Sequence, residues 1–133
     1  MPWRELPHVA DIRLEICAPD WPSLLAEAAL GMGAQMGLVN PAAASEPRPL
    51  QIEALDREEL IVRWLTAALV WFERDGVVPV RVKVDAADEQ HASGVVEVAP
   101  AETICAYIKA VTYHELKVEI VGDQWLARII FDV

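Results

Sequence analysis

The last twenty residues constrain this chain most. Leu116, Val118 and Ile120 alternate with Glu115, Lys117 and Glu119, and after Gly122-Asp123 the residues Trp125, Ala127, Ile129 and Phe131 alternate back. Period-two alternation on both sides of a two-residue Gly-X turn is the signature of a β-hairpin closed by a type II′ turn. The turn sets the register: Val121 faces Gln124, and continuing inward puts His114 opposite Phe131 and Tyr113 opposite Asp132. One face of this hairpin is apolar apart from Thr112 and His114. The other carries Glu115, Lys117 and Glu119 against Ile130, Arg128 and Leu126, so Asp132 is expected on the solvent side, beside Tyr113 and diagonal to Glu115.

Shorter alternations predict further strands at Ile12-Leu14-Ile16, Leu50-Ile52-Ala54, Val78 to Val84 and, more briefly, Val96-Val98. Pro79 marks the third of these as an edge or a strand start. Two segments carry the helical period instead. Asp20 and Pro22 open the first, whose stripe is Leu24, Leu25, Ala28, Ala29, Met32 and Met36, with fraying expected at Gly31 or Gly33. The second begins with Asp56 and Glu59 in a capping-box arrangement. It runs through Leu60, Ile61, Trp64, Leu65, Ala68, Leu69 and Phe72 to a stop at Asp75-Gly76. Methionine and tryptophan on these stripes read as core. Asn40 to Pro49, with three prolines, and Asp85 to Ser93 read as loops. The expected fold is α+β: one domain over residues 1–133, a largely antiparallel sheet with a C-terminal hairpin, packed against two helices in two layers.

Composition narrows the function. The chain has 21 Asp and Glu against 11 Lys and Arg, for a net charge of −10. That balance repels a phosphate backbone, so no direct nucleic-acid binding is expected, and a cation or a protein with a basic face suits it better. No apolar run approaches the roughly 18 to 20 residues of a membrane span, and Met1 to Glu5 lacks the features of a secretory signal. A soluble, cytoplasmic protein without membrane association is the expectation. Cys17 and Cys105, each in an apolar setting and without a partner at metal or redox spacing, read as buried free thiols.

Phosphate loops, nucleophile elbows and paired histidines at helical spacing are missing from the sequence. Its polar residues gather at three places: His8-Val9-Ala10-Asp11, Lys109 to His114, and Asp132-Val133. Each residue alone has an ordinary structural role, as a turn histidine, a capping aspartate or a solvated charge. Together they meet at one end of a sheet, because Asp132 ends the strand whose neighbour begins with the Lys109 to His114 run. Carboxylates gathered there repel unless a cation or donor lies between them. A hard cation such as calcium takes about six to eight oxygens. Asp11, Asp132 and Val133, including a terminal carboxylate, would supply part of that shell, with water or a partner completing it.

The same residues carry a family resemblance. His8-Val9-Ala10-Asp11, Ile108-Lys109-Ala110-Val111-Thr112-Tyr113-His114, and Trp125 leading to Ile130-Phe131-Asp132-Val133 resemble archease, as does Glu59 to Leu65 in the second helix. Val9 stands where that family has threonine, and Thr66-Ala67 where it has Asn-Glu. The resemblance implies a metal-binding protein, with calcium or another divalent cation on Asp11, Asp132 and Val133. It further implies an activator, not itself an enzyme, of the RtcB-type GTP-dependent RNA ligase of tRNA splicing. His8, Lys109, Thr112, Tyr113, His114 and Glu115 would support the metal or touch the partner. Two rival readings are a chaperone-like adaptor with a structural ion, and an enzyme using His8, Asp11 and His114 as acid and base.

Overall fold

The computed structural model describes residues 11–133; His8, Val9 and Ala10 lie outside them. In chain order the elements are β1 (Asp11–Ala18), α1 (Trp21–Met36), β2 (Gly37–Val39), β3 (Glu46–Glu53), α2 (Arg57–Asp75), β4 (Val77–Ala87), β5 (His91–Ile104), β6 (Ala110–Val111), β7 (Lys117–Val121) and β8 (Gln124–Asp132). Two helices with antiparallel strands make the α+β class that the periodicities predict. The described strands divide between two sheets, each built on one long central strand. In the first, β8 pairs with β1 along one edge and with β6 and β7 in succession along the other. In the second, β5 pairs with β4 on one side and with β3 and β2 on the other.

The helices close over the inner faces of both sheets. α1 lies on β4 and β1, and α2 packs on α1, β4 and β6. Every residue of the two predicted helical stripes is buried, and one continuous core joins them to Ile16, Val96, Val98, Ile129 and Phe131. Trp64, fully enclosed, satisfies its indole by donating to the Leu25 carbonyl at 3.1 Å, so the one polar atom of that side chain carries no desolvation penalty. Both caps form as the sequence implies. Asp20 accepts from the Ser23 N–H and Asp56 from the Glu59 N–H, each at 2.8 Å, while the Glu59 carboxylate reaches back to the Leu55 N–H at 3.1 Å. At the far end of α2, Asp75 binds Arg48 of β3 at 2.7 Å, and Arg48 lies 5.5 Å over the Trp71 ring. Hydrogen bonds from Arg74 and Arg48 hold the Asp75 carboxyl below its usual range.

Four local expectations are corrected. Helix α1 does not fray at its glycines but continues to Met36, because Gly33 is where the helix touches β4: a Cβ there would meet the Pro79 Cδ and carbonyl oxygen at 3.1 Å. The proline-rich loop is shorter than read, since β3 starts at Glu46. Pro47 and Pro49 share one parity on a strand paired along a single edge, so neither missing N–H interrupts the ladder. Likewise the Asp85 to Ser93 segment is mostly strand, and the valines at 96 and 98 belong to the fourteen-residue β5; the turn between is held by Asp88, which accepts from the Gln90 and His91 N–H groups at 2.8 Å. Finally, Cys17 and Cys105 are free but exposed. Cys17 has apolar neighbours, yet its odd position puts it on the outer face of β1, and strand parity decides burial where flanking composition does not.

The glycines of α1 give a paired prediction. Gly31→Ala, whose Cβ would meet only Leu14 Cδ1 at an ordinary 3.5 Å, should raise stability by up to about 1 kcal/mol through helix propensity. Gly33→Ala should lose that gain or fall below the parent, because the backbone of Pro79 must move. Urea unfolding of both variants checks the contrast; equal gains would show that α1 does not depend on close approach at Gly33.

Candidate functional site: a carboxylate pair at the end of the β1–β8 ladder

Antiparallel pairing of β1 with β8 runs unbroken from Ala18 opposite Trp125 to Asp11 opposite Asp132. Odd residues of β1 and even residues of β8 share the outer face, so the two aspartates stand side by side on it. Sequence reasoning placed Asp11 near Asp132 through a cluster; the ladder makes them direct cross-strand neighbours. Like charges so placed repel, and a side chain of the same strand partly relieves this. Arg13, two residues along β1, sets its Nε 3.4 Å from Asp11 Oδ1 and its Nη1 3.3 Å from Glu115 Oε2. Further along the same face Glu15, opposite Arg128, binds its Nε at 2.8 Å.

The other edge of β8 departs from the predicted register. Near the turn the hairpin is as expected, with Val121 opposite Gln124 and Lys117 opposite Arg128, and Gly122 supplies the positive φ of +65°. At the far end, however, Val111 faces Phe131 and Ala110 faces Asp132, where the uniform register put His114 and Tyr113. The first strand therefore holds three extra residues, looped out between β6 and β7. Thr112 anchors the loop, directing both its backbone N–H (3.1 Å) and its hydroxyl (2.9 Å) to the Ile130 carbonyl. A turn then closes from the Leu116 N–H to the Tyr113 carbonyl at 3.2 Å, with Glu115 at φ 52°, a left-handed conformation uncommon for glutamate.

This loop relocates three of the residues singled out by sequence. His114, expected against Phe131 on the apolar face, is 71% exposed, with Nε2 3.8 Å from Glu115. Tyr113, more than half exposed, lies near the first turns of α2 rather than beside Asp132: the partial burial of its phenol, then the charge of Glu59, then that of Asp56, push it up from the usual value, with Arg63 acting against them. Glu115 is aimed across at Arg13. Lys109 donates its backbone N–H to the Asp132 carbonyl at 2.7 Å, while its side chain lines a different groove with Phe72, Glu73, Ile104 and Tyr107. Val133 packs against the core. Thus the ladder brings Asp11, Asp132 and Val133 to one sheet end, and the loop carries Tyr113 and His114 out of their predicted places in the hairpin while leaving Glu115 joined to Asp11 through Arg13. Arg13 is the residue that sequence reading missed; its spacing of two from Asp11 on an alternating strand was the available signal.

The donor chemistry suits a hard cation: a half-buried carboxylate, Asp11, and an exposed one, Asp132, occupy opposed positions on the outer face, and a guanidinium already rests against the first of them. Two carboxylates are a partial shell. Among the described residues, no group of three or more His, Cys, Asp or Glu is placed to hold a metal ion, so the remaining oxygens must come from Val133, water or another molecule.

What fold and site define is a class: a small acidic α+β domain with two antiparallel sheets, two helices and a carboxylate pair where the first and last strands meet. The chain belongs to the archease protein family, whose model matches residues 3–133. It is 30% identical over 143 residues to the protein archease of Methanopyrus kandleri, covering 100% of both chains, and 27% identical over 139 residues to that of Thermococcus kodakarensis, covering 98% of each. The solution structure of Methanobacterium thermoautotrophicum protein 1598 matches with a TM-score of 0.73 at 26% identity, over 96% of each chain. The crystal structure of an archease, possible chaperone, from Thermotoga maritima matches in fold with a TM-score of 0.72 at 24% identity, over 98% of this chain and 96% of that one. No helix among the described residues is long and apolar enough to cross a membrane.

Placement of the loop beside α2 can be read from Tyr113. In a Tyr107→Phe background, ultraviolet titration should show the remaining phenol ionising above its ordinary pH of about 10, and Glu59→Gln should bring it back down by removing a nearby negative charge. A titration indifferent to Glu59 would mean that Tyr113 is not held beside the first turns of α2.

Proposed function

We propose that this archease is a metal-binding protein cofactor that activates an RtcB-type GTP-dependent RNA ligase, promoting guanylylation of the ligase and its repeated turnover in tRNA splicing or RNA repair. The observation that carries the reading is the direct cross-strand pairing of Asp11 with Asp132. It leaves two carboxylates with less positive charge around them than they need. Asp11, Asp132 and an oxygen of Val133 would hold calcium or a similar divalent cation. When bound, such an ion neutralises the pair and fixes the end of the β1–β8 ladder. The chain's own part is to present a rigid, acidic surface. A net charge of −10 suits docking on a ligase basic enough to hold RNA, since complementary charge speeds encounter and orients the partner. It equally disfavours direct contact with the RNA. His8, Lys109, Thr112, Tyr113, His114 and Glu115 are candidates for supporting or partner contacts; the exposure of the β6–β7 loop favours Tyr113 and His114. The protein acts on an enzyme rather than as one, in the cytoplasm where such ligases work.

A second reading, a chaperone-like or adaptor module with a structural ion, draws on the description of the Thermotoga maritima relative as a possible chaperone. Pull-down from the source cells separates the two: one dominant ligase supports activation, many unrelated clients support the adaptor. The direct test adds the purified protein to its cognate ligase and follows guanylate transfer and multiple turnover. Both should accelerate, and Asp132→Ala should abolish the acceleration while leaving the fold intact. No rate change with a proven cognate ligase would sink the proposal.

A further inference from the structure

Arg13 already occupies part of the space that a metal ion at Asp11 would claim. Because Arg13 and Asp11 share the outer face of β1 at a spacing of two, the guanidinium reaches Asp11 Oδ1 (3.4 Å) without leaving its strand. Its second partner, Glu115 at 3.3 Å, stands on the looped-out segment whose left-handed backbone turns that carboxylate toward β1. Asp132, the other half of the pair, makes no ion pair among the described residues. The Arg13 side chain is 63% exposed and borders a groove of about 520 Å³ shared with Glu115, Ile130, Lys117 and Arg128. It therefore has both an alternative partner and room to move.

We propose that Arg13 is a built-in competitor for the divalent cation: it bridges Asp11 and Glu115 when the cation is absent and is left to Glu115 alone when the cation binds. The inference rests on the metal reading above. Its physical basis is that a guanidinium and a divalent ion cannot share one carboxylate without repulsion, so the ion must displace a contact that Arg13 makes. One consequence is mechanical. Released from Asp11, Arg13 pairs more fully with Glu115, and occupancy of the carboxylate pair is thereby relayed to the loop that displays Tyr113 and His114.

Calorimetric titration of the full chain with calcium chloride tests this. Arg13→Gln should tighten calcium binding by about two- to fivefold, the range that an exposed ion pair supports. Glu115→Gln should weaken it, because Arg13 then has only Asp11 to bind. Arg128→Gln removes the same charge from the same face but from a guanidinium paired with Glu15, and should change the affinity less than Arg13→Gln does. In parallel, the Arg13 Nε–H resonance should shift on calcium addition, and the shift should vanish in Asp132→Ala. If calcium binds in an Asp132-dependent way but Arg13→Gln behaves like Arg128→Gln, the competitor role is wrong and the metal reading stands. If neither the parent nor Arg13→Gln takes up calcium, both fall; if only Arg13→Gln does, Arg13 blocks the site outright and the inference is upheld.

Discussion

The position of Phe131 organises much of the first sheet. This side chain is fully buried in the core that joins both sheets and both helices, and burying a phenylalanine there contributes roughly 1.5–3 kcal/mol. Because strand parity is strict, fixing Phe131 inward turns Asp132 outward. Ile12 lies opposite Phe131 across β1 and packs against the same core, so Asp11 is turned outward beside Asp132. The carboxylate pair thus follows from the packing of its neighbours. A one-residue slip of β1 against β8 would separate the aspartates and drive Ile12, Leu14 and Ile16 to the surface. The core that stabilises the fold therefore sets two carboxylates at opposed positions on its edge, and the proposed cation site rests on that placement.

Much of the fold was legible because hydrophobic period and burial agree. Both helical stripes, both N-caps, the Gly122-Asp123 turn and the edge placement of Pro79 followed from residue spacing, and Asp75-Gly76 marked the end of α2. The discrepancies have a common origin, in that local sequence cues were overridden by a contact from elsewhere in the chain. Gly33 looks like a helix breaker until Pro79 is seen against it. Pro47 and Pro49 look like loop residues until β5 pairs along their other edge. Cys17 looks buried from its neighbours in sequence, though its neighbours in space place it with Arg13 and Glu15.

The site was legible in the same uneven way. Asp11 and Asp132 come together in the sequence only through the polar cluster and the family resemblance, their strand pairing being visible in the fold alone, while the loop between Thr112 and Leu116 is marked in the sequence by no more than the two polar residues, Thr112 and His114, that interrupt the apolar face of the hairpin. Its other signals are tertiary: two hydrogen bonds from Thr112 to one carbonyl, and a glutamate held at positive φ. Those three extra residues change what the surface near the carboxylates presents, turning His114 from a core residue into an exposed one and swinging Glu115 toward Arg13. Exposed ion pairs such as these stabilise a fold little. Their significance here is positional, since they decide which cation Asp11 faces.

Asp11 and Asp132 together are the proposed binding place for a divalent ion. Anomalous scattering from crystals soaked in calcium, or in a lanthanide of similar radius, measures it most directly. A peak is expected between the two aspartates, with carboxylate oxygens of both at about 2.3–2.6 Å. A well-diffracting crystal in which that position shows no peak, with Arg13 still against Asp11 at saturating ion, would contradict the proposal.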